Sequence, residues 1–400
     1  MSTPLRINTL GTRWEVDLSE TSEEVADELR RLWRDAGDWS PDTCEPAGFP
    51  RPLEVVSQPG AGRVLPSFDP DDPTQPLPSV IQVSDDPRTA PYIFSTAITA
   101  RGIMAQSGRL TMLHAAALAH PDTGSAILLI APSGTGKTTA ARTLGRTLSY
   151  LSDETSALRP DHTIVAHPKP LSIVGEGGKS EASPAELGLL PPRADARLAA
   201  TVLLERRAGQ VAHLKPVPLI EALIEAIPQS SSLPAQERPL SGLAEVLRTG
   251  EGVATLVYSE IEDAAPVILD LLARSAPGRL VPADYDVIEA DDRRRGTAWT
   301  QAPGRSAPGD AEPLVIERAA WIEALAWGSE SLVLNGPQPV RLMGLGHTIW
   351  LAADEPIGLA EIVEQVVAEH GPHPEAAELV RDAIAKLAEA GLVVFVAPRP

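Results

Sequence analysis

The residues best equipped for chemistry lie together in Ala131-Pro132-Ser133-Gly134-Thr135-Gly136-Lys137-Thr138-Thr139, a phosphate-loop pattern in which Ala131 stands at the first glycine position. Gly134 and Gly136 allow the backbone to bend close to an anion, and the amides from Ser133 to Thr139 can converge on phosphate oxygens at a helix N-terminus. Within that cradle Lys137 would reach the terminal phosphates, and the Thr138 hydroxyl would ligate Mg²⁺. Asp153 follows Lys137 by only sixteen positions, with Glu154 behind it. An acid so close is expected to face the loop across adjacent strand ends, hold Mg²⁺ and take the proton of an incoming hydroxyl. His114, ahead of the loop, could help neutralise a transferring phosphate. The chemistry implied is phosphoryl transfer from ATP, with Asp153, His114 and Lys137 as the catalytic candidates and Thr138, Asp153 and Glu154 as the metal candidates. Lys169 between Pro168 and Pro170 is a stiffly presented cation, Lys179 lies in the glycine-rich GEGGKS, and Arg293-Arg294-Arg295 reads as a solvated charge run.

Those residues need elements to place them. Residues 126–130 form a continuous apolar run that reads as a strand, paired through a turn with the strand in LHAAALAH. A helix is expected from the loop through residue 146, then a strand ending at Ser152, which puts Asp153 at a strand end. Further strands are expected at 164–166, 199–204 and 253–258, with helices at 219–227 and 263–273, an alternation that says α/β. Upstream, Thr21-Ser22-Glu23-Glu24 reads as a capping box with Thr21 as the cap, opening a helix over 22–36. Residues 41–91 are rich in Pro, Gly and Asp, with short strands expected at 53–57 and 80–83. Residues 275–313 mix Pro, Gly and charge without periodicity and read as an interdomain linker. Beyond it, a hairpin (332–334 with 340–343), two amphipathic helices and a strand at 392–396 suggest a small winged helix.

Composition narrows the function classes. The 400 residues suit more than one domain, and 39 Pro signal long irregular connections. Lys and Arg total 34 against 54 Asp and Glu, so the net charge of -20 opposes binding to nucleic acid or an anionic membrane. The one cysteine, Cys44, excludes an internal disulfide or a thiolate zinc cluster. No run approaches the ~18 apolar residues of a membrane span, and a cytoplasmic location is expected.

The run from LHAAAL through ILLIAPSGTGKTTAARTL to YLSDETSAL, then HPKPLS, resembles the HPr kinase/phosphorylase family, particularly its branch associated with peptide-tailoring enzymes. The resemblance is firm over about residues 113–174 and looser to about 273. It implies a mixed sheet related to phosphoenolpyruvate carboxykinase, and a phosphoryl-transfer site built from His114, Ser133 to Thr139, Asp153 and Glu154. The chain departs from that pattern in having Glu154 where HPr-directed enzymes have Asp, Ala131 at the first glycine position, and no Arg-bearing signature in GEGGKSEASPAELG. The C-terminal stretch, from LVLNGPQPVRLMGLGHTIWLAADEP to AGLVVFV, is similar to the PqqD family of winged-helix domains, which recognise leader regions of ribosomally made peptides. Together the resemblances imply an N-terminal α+β segment (1–100), a kinase-type domain (101–274), a linker (275–313) and a peptide-binding domain (314–400). The activity implied is ATP- and Mg²⁺-dependent phosphorylation of a hydroxyl on a precursor peptide whose leader is bound by residues 314–400, with room for a homo-oligomer. The alternatives are an amino-acid kinase and a non-catalytic ATP-binding peptide adaptor.

Overall fold

The computed structural model describes residues 3–37, 51–59, 79–175, 178–290, 314–336 and 338–397, with backbone alone at 174–175 and 178–179. Cys44 and Arg293 to Arg295 lie outside the described residues, as does the side chain of Lys179. The chain forms two compact units, one of residues 1–237 and 242–281, the other of 238–241 and 282–400.

The first unit begins with β1 (Leu5–Thr9), β2 (Thr12–Glu20), α1 (Glu23–Leu32), β3 (Arg51–Gln58), β4 (Val80–Ser84) and α2 (Ala90–Gln106). The four strands form one sheet in chain order, antiparallel at its first pair and parallel at the other two. Ser22 rather than Thr21 caps α1: its hydroxyl accepts from the Val25 amide, while the Thr21 hydroxyl donates to the Leu18 carbonyl. The helix α2 buries Ile93, Phe94, Ala97 and Ile98, with Phe94 edge-on to Trp33 at 5.4 Å between ring centroids. It runs unbroken through residues 100 and 101, so the expected boundary there cuts a buried helix.

Next come β5 (Thr111–Leu113), β6 (Ala115–Ala119), β7 (Ser125–Ile130), α3 (Lys137–Leu144), β8 (Ser149–Ser152), β9 (Ser156–Leu158), β10 (Ile164–Val165), β11 (Leu171–Gly175) and β12 (Gly178–Ala182). They are followed by β13 (Arg197–Arg206), β14 (His213–Pro216), α4 (Leu219–Ala226), β15 (Ser230–Ser231), α5 (Pro239–Leu247), β16 (Ala254–Tyr258) and α6 (Ile261–Arg274). The central sheet has the order β14-β16-β13-β7-β6-β8. It is mixed, because β13 runs parallel to β7 and β16 while β6 is antiparallel to β7 and β8. All of β6, β7 and β8 is buried, which explains their unbroken apolar runs: a strand covered on both faces has no polar side to alternate with.

A smaller antiparallel sheet has the order β10-β9-β5-β15. Two chain segments cross from one sheet to the other side by side. One crosses at His114, between β5 and β6; the other at residues 153–155, between β8 and β9. Ala117 pairs with Ser152 in the first sheet and Leu113 with Ser156 in the second, so the crossovers are held in register. The Ser156 hydroxyl stitches them by donating to the Ala115 carbonyl at 2.8 Å.

The second unit holds β17 (Asp286–Glu289), β18 (Val315–Arg318), β19 (Glu323–Trp327), β20 (Glu330–Leu334), β21 (Pro339–Met343), α7 (Leu345–Ala352), β22 (Ile357–Gly358), α8 (Leu359–His370), α9 (Ala376–Glu389) and β23 (Val393–Phe395). Its sheets have the orders β17-β19-β20-β21 and β22-β18-β23. The core is built on Trp321, Trp350, Ile362, Val380 and Ile384. Buried Arg318 lies over the Trp350 ring, 4.4 Å from its centroid, and donates to the Trp350 and Leu351 carbonyls at 2.7 Å. The expected linker is corrected here: residues 286–289 are a strand paired with β19, and 291–313 lie outside the described residues.

Candidate active site

Strand order decides where the candidate residues meet. The loop leaves the C-terminal end of β7 and Asp153 leaves that of β8, but these strands are not neighbours; β6 lies between them, running the other way. The expectation of adjacent strand ends is therefore corrected. The arrangement places His114, just ahead of β6, between the loop and the acid pair.

Positive φ angles at Gly134 (81°) and Gly136 (98°) turn the loop into α3. A Cβ on Gly134 would meet nothing within 4 Å, so the space above it is open for a ligand to approach the backbone. Lys137 is buried and folds back on the loop, its Nζ donating to the carbonyls of Ala131 at 2.5 Å and Pro132 at 2.9 Å. Burial is the main force on its pKa, bringing it down to about 8 against the pull of Glu154 and Asp153.

Thr138 Oγ1 donates to Asp153 Oδ2 at 2.8 Å, closing the loop onto the acid across the width of β6. Asp153 Oδ1 accepts from the Tyr150 hydroxyl at 2.8 Å and faces Lys169 Nζ at 3.6 Å. Both carboxylate oxygens are thus engaged and only 2% of the side chain is exposed, a setting that holds the carboxylate in one orientation. Glu154 shares the same ammonium: its Oε2 lies 3.0 Å from Lys169 Nζ, and 48% of its side chain is exposed. The charge of Lys169 holds the Glu154 carboxyl below its ordinary range despite burial. His114 is pushed down, first by burial and then by the charge of Lys137, so its ring is neutral at pH 7.

Lys169 is the centre of a charge cluster that no local spacing announces. The segment before it is pinned to β8 by the His167 amide donating to the Leu151 carbonyl at 2.7 Å. Its own side chain is 5% exposed and donates to the Pro170 carbonyl at 3.1 Å. Burial works against this ammonium, but the combined charges of Asp153, Glu154 and Glu181 outweigh it and raise its pKa. Glu181, on β12, accepts from the Ser95 hydroxyl of α2 at 2.8 Å, and burial raises its pKa. Lys169 is thus a buried cation set among three acids, Asp153, Glu154 and Glu181.

The cavity above these groups measures about 560 Å³. Ser133, Gly134, Gly136, Lys137, Thr138 and Thr139 line it, as do His114, Asp153, Glu154 and Lys169. Thr135 is absent from the lining; its hydroxyl donates to the Pro132 carbonyl at 2.7 Å and holds the loop's shape. Sequence reasoning missed Tyr150, Glu181, Ser95 and Arg142. Arg142 carried a signal, since it follows Thr138 by one helical turn; Tyr150 looks like core, and Glu181 is brought in by the β11–β12 hairpin.

No family model matches the chain, and no curated protein sequence matches it. Among solved structures, the Hpr(Ser) kinase/phosphatase from Coxiella burnetii is similar at 11% sequence identity, with 40% of this chain and 93% of that chain covered and a TM-score of 0.23.

Proposed function

We propose that the first unit is an ATP-dependent phosphotransferase that phosphorylates a hydroxyl on a peptide. One observation carries the reading: the hydroxyl after the loop lysine is hydrogen-bonded to Asp153 at 2.8 Å across an intervening strand. A hydroxyl and a carboxylate at that separation are two hard oxygen donors, the type Mg²⁺ takes. Among the described residues no group of three His, Cys, Asp or Glu could hold a metal, so the remaining ligands would come from phosphate oxygens and water, as in nucleotide-bound Mg²⁺. When bound, Mg²⁺ supplies charge neutralisation along the phosphates. The loop amides and Lys137 bind and orient the γ-phosphate, Tyr150 and Lys169 hold Asp153 in place, and neutral His114 offers a hydrogen bond beside the transferring group.

The second unit would serve as a PqqD-like winged helix that captures the leader of a precursor peptide. Its support is an antiparallel sheet ending at β21, whose Met343 is 61% exposed, a form suited to strand addition with side chains entering an apolar surface. An acidic chain of net charge -20 suits a basic or neutral peptide.

The test is phosphate incorporation from γ-labelled ATP into candidate peptides, followed by mass spectrometry. Lys137→Ala and Asp153→Asn are each expected to reduce transfer by about 10²-fold or more, the scale of removing a charge stabiliser from a phosphoryl-transfer site. Full turnover by either variant refutes the assignment.

A further inference from the structure

Gly136 stands just before Lys137, and a Cβ built on it would have, beyond its chain neighbours, a single atom within 4 Å: the Tyr258 hydroxyl oxygen at 4.0 Å. Tyr258 ends β16, two strands away from the loop's own strand in the order β16-β13-β7. The register explains how it reaches the loop. Leu203 of β13 stands opposite both Ile130, the end of β7, and Thr255, while Arg206 stands opposite Tyr258. Tyr258 is therefore three residues, about 10 Å, beyond the level at which the loop begins, and stands beside it.

All of Tyr258 except its hydroxyl is accounted for. The residue is 3% exposed and belongs to the core that contains Ala131 of the loop and Ala140 and Ala141 of α3. Its carbonyl accepts from the Arg207 amide at 2.7 Å, and the next carbonyl, of Ser259, accepts from Arg206 Nε at 2.9 Å. The two charges that act on it, Arg206 and Glu260, are paired with each other at 2.8 Å. Among the described residues its hydroxyl has no hydrogen-bond partner. Buried Tyr150, by contrast, donates to Asp153. Burial raises the Tyr258 pKa, so the hydroxyl keeps its proton at neutral pH and is free to donate. A buried donor without an acceptor costs free energy that an incoming acceptor recovers.

We infer that Tyr258 is a nucleotide-binding residue whose hydroxyl donates a hydrogen bond to a β-phosphate oxygen of the nucleotide held on the loop. This rests on the phosphotransferase reading and adds a contact from outside the loop. The choice of phosphate follows from position along the chain: Lys137 reaches the terminal phosphates, and the loop amides before it cradle those behind. A hydroxyl facing Gly136 thus meets the β-phosphate. It does so from the β13–β16 flank of the loop, whereas the Thr138–Asp153 contact lies on the β6–β8 flank, so the phosphate chain is held from both sides. ADP keeps this contact whole, because it lacks only the γ-phosphate.

The experiment compares the full parent chain with Tyr258→Phe, which removes the hydroxyl and keeps the ring in the core. Calorimetry should show affinity for ATP and for ADP each falling at least about tenfold, the scale of a hydrogen bond to a charged group. The melting temperature of the nucleotide-free variant should lie at or above that of the parent, since the hydroxyl lost had no partner. Phosphorus NMR at saturating ADP should place the β resonance at a different shift in the variant, with the α resonance less affected. Unaltered ADP affinity, a lower melting temperature without nucleotide, or an unmoved β resonance each overturns the contact. Failure of the phosphotransferase reading looks different: a parent chain that binds ATP and ADP but transfers no phosphate sinks that reading while the affinities still report on Tyr258. A parent chain that binds neither nucleotide overturns both.

Discussion

Lys137 is poised between two partners. Its ammonium is satisfied by the Ala131 and Pro132 carbonyls, yet burial brings its pKa down to about 8, so near pH 8 it is half deprotonated. A phosphate placed on the loop favours the charged form and raises that pKa, so nucleotide binding must draw in a proton. The expected outcome is net proton uptake when ATP binds at pH 8–9, and an affinity that falls as pH rises, approaching about tenfold per unit above the free pKa. Calorimetry in two buffers of different ionisation enthalpy reads the proton directly; a flat affinity from pH 7 to 9.5 contradicts it. The same lysine acts on stability with a definite sign. Its folded pKa lies below its unfolded value near ~10.4, so between about pH 8 and 10.5 the unfolded chain holds the extra proton and stability rises with pH. The loop was legible in the sequence because its parts are consecutive. Lys169 was ambiguous because its carboxylate neighbours come from two distant segments, Asp153 and Glu154 after β8 and Glu181 on β12, and Tyr150 and Glu181 carry no local mark of their role.

Elements place the site through two side-by-side crossings between sheets, and turns are where a single atom decides whether they form. Gly250 adopts a φ of 73° and donates its amide to the Arg279 carbonyl at 2.7 Å; a Cβ there would come within 2.0 Å of the Ala199 carbonyl on β13. Gly134 has a similar φ of 81° but open space where a Cβ would go. Two alanine variants therefore separate fold from site. Gly250→Ala must move backbone and is expected to cost more than ~3 kcal/mol, whereas Gly134→Ala meets only the left-handed penalty of about 1–2 kcal/mol. Denaturant melts should rank them in that order, while ATP affinity should fall for Gly134→Ala in protein that remains folded; similar stabilities for the two would contradict the contact. Strands such as β7, β8, β13 and β16 and the helices α1, α3, α4 and α6 were readable from apolar runs and helical spacing, whereas β1, β2, β9, β11, β12, β14, β15 and α5 were not. The order of β7, β6 and β8 was not, because chain proximity of the loop and Asp153 says nothing about which strand is inserted between their ends. The helix α2 escaped because it is apolar around its whole circumference and shows no amphipathic period.

At the scale of the whole chain, composition set a Pro- and Gly-rich stretch, residues 275–313, between two regions but misplaced the edge of the second unit, whose main stretch begins at residue 282. Strand β17 sits inside that stretch, and its pairing partner, β19, begins more than thirty residues further on, beyond the reach of any local pattern. Its register runs from Asp286 opposite Ala326 to Glu289 opposite Glu323, and Ile288 packs against the core of Trp321 and Trp350. A fragment cut at the compositional boundary, residues 314–400, would thus lose one edge of its main sheet, whereas residues 282–400 keep it. The loss has two consequences: the apolar contact of Ile288 goes, and the backbone of β19 becomes an open edge available to other chains. With about 1–2 kcal/mol at stake for the strand, the shorter fragment should melt at least ~5 °C lower, given that one kcal/mol moves a domain of this size by about 4–8 °C. It should also associate at concentrations where the longer one is monomeric. Thermal melts followed by circular dichroism and sedimentation of both fragments measure this, and equal melting temperatures would mean that β17 adds nothing to the unit it pairs with.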